Sequence, residues 1–296
     1  MRKCIILSLM LVLLLYGNKV RAQGQKNHWI GNLVLYGTFI NFSDSSLKND
    51  GRSSTIYGNL SYGKHHLIEG IFTQTYINYK NPYNNLNQSD FAIAYTNIDQ
   101  LIKNCSLRIG FHYIDSDDPW TDEGKILFGK ITYFIPYKWN AGIEADYSIY
   151  DKTSTDINVF QLISHFGFFI KNIIPKGILY TESKLYYIHK DETTGDLSRD
   201  NFLSFEQLIT YTLLPWDIRL SGWGGKQIYA VKNSGFLVYN LADKYKAGIT
   251  FEMGYTFIRY HLRAFLDVSN EWLKHVGFND NVKQTCVTIG ISKSFY

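Results

Sequence analysis

The stretch "YKAGITFEMGYTF", residues 245–257, carries the decision about fold. Tyr245, Ala247, Ile249, Phe251, Met253, Tyr255 and Phe257 fall on one side of a period of two, and Lys246, Gly248, Thr250, Glu252, Gly254 and Thr256 on the other. Successive side chains of a β-strand point to opposite faces, so this is a strand with one apolar and one polar face. In a soluble sandwich the apolar face would be core and the polar face would meet water. In a membrane barrel the apolar face meets lipid and the polar face lines a lumen. One strand does not choose between them.

The start of the chain reads as an export label. Arg2 and Lys3 precede the apolar run "CIILSLMLVLLLY", and Val20-Arg21-Ala22 offers a small-residue cleavage site. Residues 1–22 are therefore expected to be a signal peptide, and 23–296 one domain. The run is too short for a comfortable membrane span, and Cys4 precedes it, unlike a lipid-anchored cysteine. The leader carries Arg2, Lys3, Lys19 and Arg21 and no acid, which accounts for the whole formal net charge of +4. A neutral mature chain removes the support for a nucleic-acid partner.

Period-two segments separated by turn residues give fourteen candidate strands: 29–42, 53–61, 66–79, 89–97, 105–114, 125–135, 139–150, 157–170, 178–189, 201–213, 217–229, 245–257, 261–272 and 284–295. No linker or composition break divides them. The odd connections are longer and polar, such as "NFSDSSLKNDGR", "DSDDPWTDEG" and "VKNSGFLVYNLADK", while even ones such as "PYKW", "LPWD" and "IRY" are tight. Outer-membrane barrels sort their loops this way, short on the periplasmic side and long outside. The expected fold is all-β: a closed antiparallel transmembrane barrel of about 14 strands, with 12 as the alternative count.

The faces agree. Trp139, Ala141, Ile143, Ala145, Tyr147 and Ile149 oppose Glu144 and Asp146; Leu107, Ile109, Phe111 and Tyr113 oppose Arg108 and His112; Leu262, Ala264, Leu266 and Val268 oppose Arg263, Asp267 and Glu271. Buried in a soluble core, unpaired charges would cost several kcal/mol each, on the order given for desolvated ions. A hydrated lumen removes most of that cost. The same phase adds Lys130, Glu206, Arg219, Lys246 and Glu252 to the expected lumen lining, and turns Phe169 and Phe265 inward. Glu69 and Asn59 fit either face poorly. Trp29, Trp139 and Trp216 gather at the expected periplasmic ends and Trp272 and Trp120 at the opposite ends, as membrane-interface aromatics do. Trp223, beside Gly222, Gly224 and Gly225, sits mid-strand and suggests a bulge.

The chain ends in "VTIGISKSFY". Here it resembles Gram-negative outer-membrane β-barrel proteins, whose last strand alternates apolar residues and closes on a terminal aromatic read by the barrel-assembly machinery. In strand number and length it is similar to the monomeric porins of the outer membrane protein G type, and more loosely to YaiO-type outer-membrane proteins. The resemblance implies that Phe295 faces lipid, that Lys293 snorkels at the headgroup boundary, and that the partners are outer-membrane lipid, lipopolysaccharide, the assembly machinery and small polar solutes. It implies residence in the cell outer membrane.

No catalytic residue, metal ligand or cofactor is assigned. Ser164 and His165 of "LISHFG" are strand neighbours and point to opposite faces, so they do not form a nucleophile–base pair. The acidic loop "DSDDPWTDEG" lacks the glycine that an EF-hand loop needs at its sixth position. Cys105 and Cys286 begin strands running in opposite directions, so a membrane thickness separates them and both are expected to be unpaired. The functional expectation is a porin-like channel for passive diffusion, with loop 231–244 apolar enough to fold inward and narrow the mouth. The alternative is a closed barrel with a structural, binding or polysaccharide-export-associated role. No enzymatic activity is expected.

Overall fold

Fourteen strands close on themselves in chain order in the computed structural model, which describes residues 29–150, 157–170, 177–192, 200–239 and 241–296. The expected signal peptide, residues 1–22, lies outside the described residues. The wall consists of β1 (Trp29–Ser43), β2 (Lys48–Tyr62), β3 (His66–Tyr79), β4 (Leu86–Ile98), β5 (Cys105–Ser116), β6 (Lys125–Ile135), β7 (Trp139–Tyr150), β8 (Ile157–Ile170), β9 (Ile178–Glu192), β10 (Asp200–Leu213), β11 (Trp216–Gln227), β14 (Asp243–Phe257), β15 (Leu262–His275) and β16 (Val282–Phe295). Each pairs antiparallel with its sequence neighbours, and β1 pairs with β16 to close the ring. Two short strands, β12 (Val231–Lys232) and β13 (Leu237–Val238), form a separate hairpin inside the β11–β14 connection.

Closure is what a hydrocarbon environment demands. Lipid offers no hydrogen bonds, so backbone N–H and C=O groups must pair with neighbouring strands, and a ring leaves no edge. The outer surface carries the apolar members of each alternation: Ile109, Leu127, Ile143, Phe160, Leu185, Leu203, Phe251 and Ile289 are all exposed. Aromatic pairs mark the short-turn rim. Trp29 packs on Tyr62 at 4.8 Å, Trp139 on Tyr133 at 5.4 Å and Trp216 on Tyr255 at 4.8 Å. Trp272 lies near the other rim, exposed, and Phe295 pairs in register with Gly31 at the seam.

Two sequence expectations need correction. The connection expected over 41–52 shrinks to residues 44–47, because β1 and β2 run on to Ser43 and from Lys48. A span needs only about 9–11 tilted residues, whereas β1 and β2 have 15 each. Beyond the expected strand ends the ladder continues, Asn41 opposite Asp50, through mostly polar residues that read like loop. The second correction concerns the opening stretch. The ladder slips between Tyr245 and Ala247, with Lys246 as the extra residue. Tyr245 is thereby turned inward and buried, stacked on Tyr239 at 4.4 Å. Lys246 is ejected to the rim, where Nζ donates to Asn281 Oδ1 at 2.8 Å. From Ala247 onward the expected phase holds. A second slip, between Gly224 and Gln227 on β11, lies next to Trp223.

Candidate functional site

The β11–β14 connection enters the barrel, and the site is built around it. Ile228, Tyr229, Ala230 and Val231 are almost fully buried among inward side chains of the long-loop half, namely Ile114, Ile126, Tyr150, Ile157, Val159, Ile188 and Phe202. On the opposite wall Phe42, Ile77, Leu86, Tyr245, Leu273 and Val282 make a second apolar cluster, against which Tyr239 and Leu241 pack. An inward apolar side chain has no purpose in an empty aqueous bore. Here it receives the segment, and burial at about 25 cal/mol per Å² holds that segment in place.

Polar contacts set its depth. Gln161 on β8 clamps the backbone of Val231, donating to the carbonyl at 2.6 Å and accepting the N–H at 3.1 Å. The same amide donates to Asp146 at 2.7 Å. At the tip, Asn233, Ser234 and Gly235 all have positive φ, with 95° at Gly235. A Cβ there would stand 2.4 Å from the Phe128 ring, so only glycine lets the tip approach β6. Phe236 then lies edge-on to Phe128 at 6.1 Å and to Tyr57 at 6.0 Å, with the Arg108 guanidinium 4.7 Å over its ring. Arg108 is also paired with Glu69 and donates from Nε to the Ser234 carbonyl at 3.4 Å. His112 Nδ1 donates to the Gly235 carbonyl at 2.9 Å, and Lys130 Nζ reaches Ser234 Oγ at 3.3 Å and Glu144 at 3.7 Å.

The expected lumen residues therefore divide into two sets. Arg108, His112, Lys130, Glu144 and Asp146, all inward on β5 to β7, form the wall against which the segment docks. Glu206, Arg219, Glu252, Asp267 and Glu271 line the space left on the other side. Arg263 sits below that space, paired with Asp217 and with Glu252 at 2.5 Å. Lys246 belongs to neither set, because the bulge carries it to the rim. Glu69 and Asn59 both turn inward: Tyr57 donates to Glu69 at 2.7 Å and accepts from Asn59 at 3.1 Å.

The space itself is a cavity of about 530 Å³ between the segment and the wall formed by β1–β3 and β14–β16. Its surface carries many hydroxyls, among them Thr38, Thr55, Thr73, Thr75, Thr250 and Thr288, with Tyr36 and Phe265. Six carboxylates and three basic side chains line it. Lys48 is committed to Asp243 at 2.5 Å, which leaves Arg219 and Lys232 as the other basic groups. Burial holds the Lys232 ammonium below the ordinary lysine range, against the pull of Glu206 and Glu271 in the other direction.

Sequence reading missed one constellation. Ser45 Oγ is 2.9 Å from His275 Nε2, and His275 Nδ1 is 2.6 Å from Asp243 Oδ1. The spacing is that of a nucleophile, base and orienting acid. The chemistry is different. Ser45 is buried and its hydroxyl accepts the Lys48 N–H at 2.7 Å and the Leu47 N–H at 3.1 Å, while Asp243 is neutralised by Lys48. Ser45 and His275 do not line the cavity. The trio fastens turn 44–47 to β14 and β15. Ser45 lies 230 residues from His275 and His275 lies 32 from Asp243, and no local pattern announces them.

Other expected features are placed as follows. His165 is buried and Ser164 exposed, on opposite faces of β8. The acidic loop caps itself: Asp118 accepts from Thr121 Oγ1 at 2.7 Å, and Asp122 accepts the Ser116 N–H at 3.0 Å. Among the described residues no group of three or more His, Cys, Asp or Glu side chains is placed to hold a metal ion. Cys105 and Cys286 are both free thiols.

No protein-family model matches the chain, and no curated protein is similar to it in sequence. Solved structures are similar in fold. A bacterial polysaccharide outer membrane secretin aligns with a TM-score of 0.54 at 9% identity, over 90% of this chain and 98% of that one. OpdK of Pseudomonas aeruginosa, solved with vanillate, aligns at 0.43 and 10% identity, over 90% and 98%. A loop-deletion mutant of OmpT, an outer membrane protein of Vibrio cholerae, aligns at 0.47 and 8% identity, over 90% and 98%. The apolar outward surface, the aromatic rims and the closed 14-strand ring give this chain the fold of an outer-membrane β-barrel.

Proposed function

We propose that the barrel is a narrow porin-like channel for passive diffusion of small polar solutes, its bore reduced by the inward segment to the hydroxyl-lined side. The observation that carries this reading is the cavity of about 530 Å³ along β1–β3 and β14–β16. Eight strands are filled by side chains and 16–18 leave a wide aqueous channel; 14 strands with one lumenal segment fall between. The apolar, aromatic-ended β16 is read as the strand handed to the barrel-assembly machinery, and the long-loop rim as the contact with lipopolysaccharide.

A second reading, a closed barrel serving in binding or polysaccharide export, draws on the two apolar clusters that fill much of the long-loop half. Planar-bilayer recording separates the two. Purified protein is expected to give small unitary steps, and deletion of residues 231–239 to enlarge them severalfold. If neither the intact nor the shortened barrel ever conducts, the second reading stands.

A further inference from the structure

Lys232 Nζ lies 4.3 Å from the Trp223 ring, 5.1 Å from Tyr239 and 5.9 Å from Tyr186. Glu206 closes the box at 3.9 Å from the ammonium. The box is built, since each polar wall atom is tied down. Tyr186 donates to Glu206 at 2.8 Å, Tyr239 donates to Glu271, and Gln284 donates to Glu271 at 3.4 Å. Gly248 is part of the construction, because a Cβ there would stand 2.2 Å from the Trp223 indole nitrogen. The ring can lie flat across β14 only over a glycine. Three aromatic faces and two carboxylates around one cation are how proteins recognise quaternary and substituted ammonium groups. The box also opens on the lumen, for Trp223, Tyr239, Glu206, Glu271 and Lys232 itself all line the cavity.

We propose that this box is a binding site for small organic ammonium ions, and that Lys232 is its tethered occupant. The lysine stem has four rotatable bonds and the cavity lies beside it, so the ammonium can swing out and leave the box to a ligand without the segment leaving the barrel. A cavity of about 530 Å³ falls within the roughly 300–1,000 Å³ typical of small-molecule sites. The inference deepens the channel reading by naming a solute class, and rests on the cavity being reachable from water.

The test is equilibrium titration calorimetry of the purified barrel in detergent, at constant ionic strength, with choline and with its uncharged isostere 3,3-dimethylbutan-1-ol. Removing the tethered cation should vacate the site, so Lys232→Ala or Lys232→Gln is expected to bind choline at least tenfold more tightly than the wild type. Adding Trp223→Leu should abolish the gain. Equal choline affinity in wild type and Lys232 variants, or equal affinity for choline and the alcohol, overturns the proposal. Folding is checked by heat-modifiable gel migration. If neither variant folds, the wild type decides: a tenfold preference for choline over the alcohol supports the site, and no preference ends it. Binding is read without conduction. A barrel that binds choline and never conducts keeps the site and loses the channel, and one that conducts without binding does the reverse.

Discussion

Asp280, in the β15–β16 connection, accepts from the Ser46 hydroxyl at 2.6 Å, from the Ser46 N–H at 3.2 Å and from the His275 N–H at 3.2 Å. Burial alone would raise its pKa, but these donors outweigh it and the carboxyl titrates below the usual carboxylate range. The folded protein therefore holds this proton less tightly than the unfolded chain. The fastening is fully present above about pH 4, the ordinary aspartate value, and is lost as pH falls through the lower folded value. Asp118 has the opposite sign, since burial raises its pKa and acid relieves it. The hydrogen-exchange protection factor of turn 44–47, which is the rate corrected for intrinsic amide exchange, is expected to fall in the wild type as pH drops from about 4 to about 2. In Asp280→Asn the protection factor should already be lower at pH 7 and stay nearly flat over that interval. A flat wild-type profile would remove Asp280 from its role as fastener.

At the scale of the element, the inward segment depends on Gln161. Gln161→Leu leaves the buried N–H and C=O of Val231 without partners, at a cost of about 1–3 kcal/mol per group. Limited proteolysis is expected to cut residues 231–239 at least tenfold faster in this variant, with the barrel intact by heat-modifiable migration. Unchanged cleavage would mean that apolar packing alone holds the segment. The segment's inward turn was legible in "VKNSGFLVYNLADK", because a water-facing loop has little use for Phe236, Leu237, Val238 and Tyr239. Its landing place was not legible. Gln161 lies 70 residues from Val231 and His112 lies 123 from Gly235, and only ring closure brings them together. Strand phase was readable wherever alternation ran unbroken, as on β5 and β7. It misled at Lys246 because a bulge inserts one residue without disturbing the alternation on either side, so both phases look regular. The extensions of β1 and β2 were hidden for a related reason. Above the hydrocarbon no face has to be apolar, and polar strand reads like polar loop.

For the whole molecule, the outer surface solves a solvation problem and the inner surface a packing one. Lipid takes the apolar set; the lumen takes the charges, and Arg108, Lys130, Lys232 and Arg263 are paired there with carboxylates across strands or against the segment. Architecture ties both to the joint between β1 and β16, which runs for thirteen residue pairs from Gly31 opposite Phe295 to Ser43 opposite Lys283. Because the first and last strands lie side by side, a circular permutant is expected to fold. It would join residue 29 to residue 296 through a short linker, open between Tyr137 and Lys138, and carry an export label at the new start. The measurement is heat-modifiable migration together with unitary conductance matching the parent. A permutant that stays unfolded would show that strand order matters beyond ring geometry.

The joint also imposes a schedule. Every other neighbour in the ring follows within a few tens of residues, whereas this pairing waits for a strand about 250 positions away. Until that strand arrives, the sheet is an open ribbon with two raw margins, each able to recruit a stranger. Whatever delivers the chain must keep those margins apart and occupied until the clasp shuts.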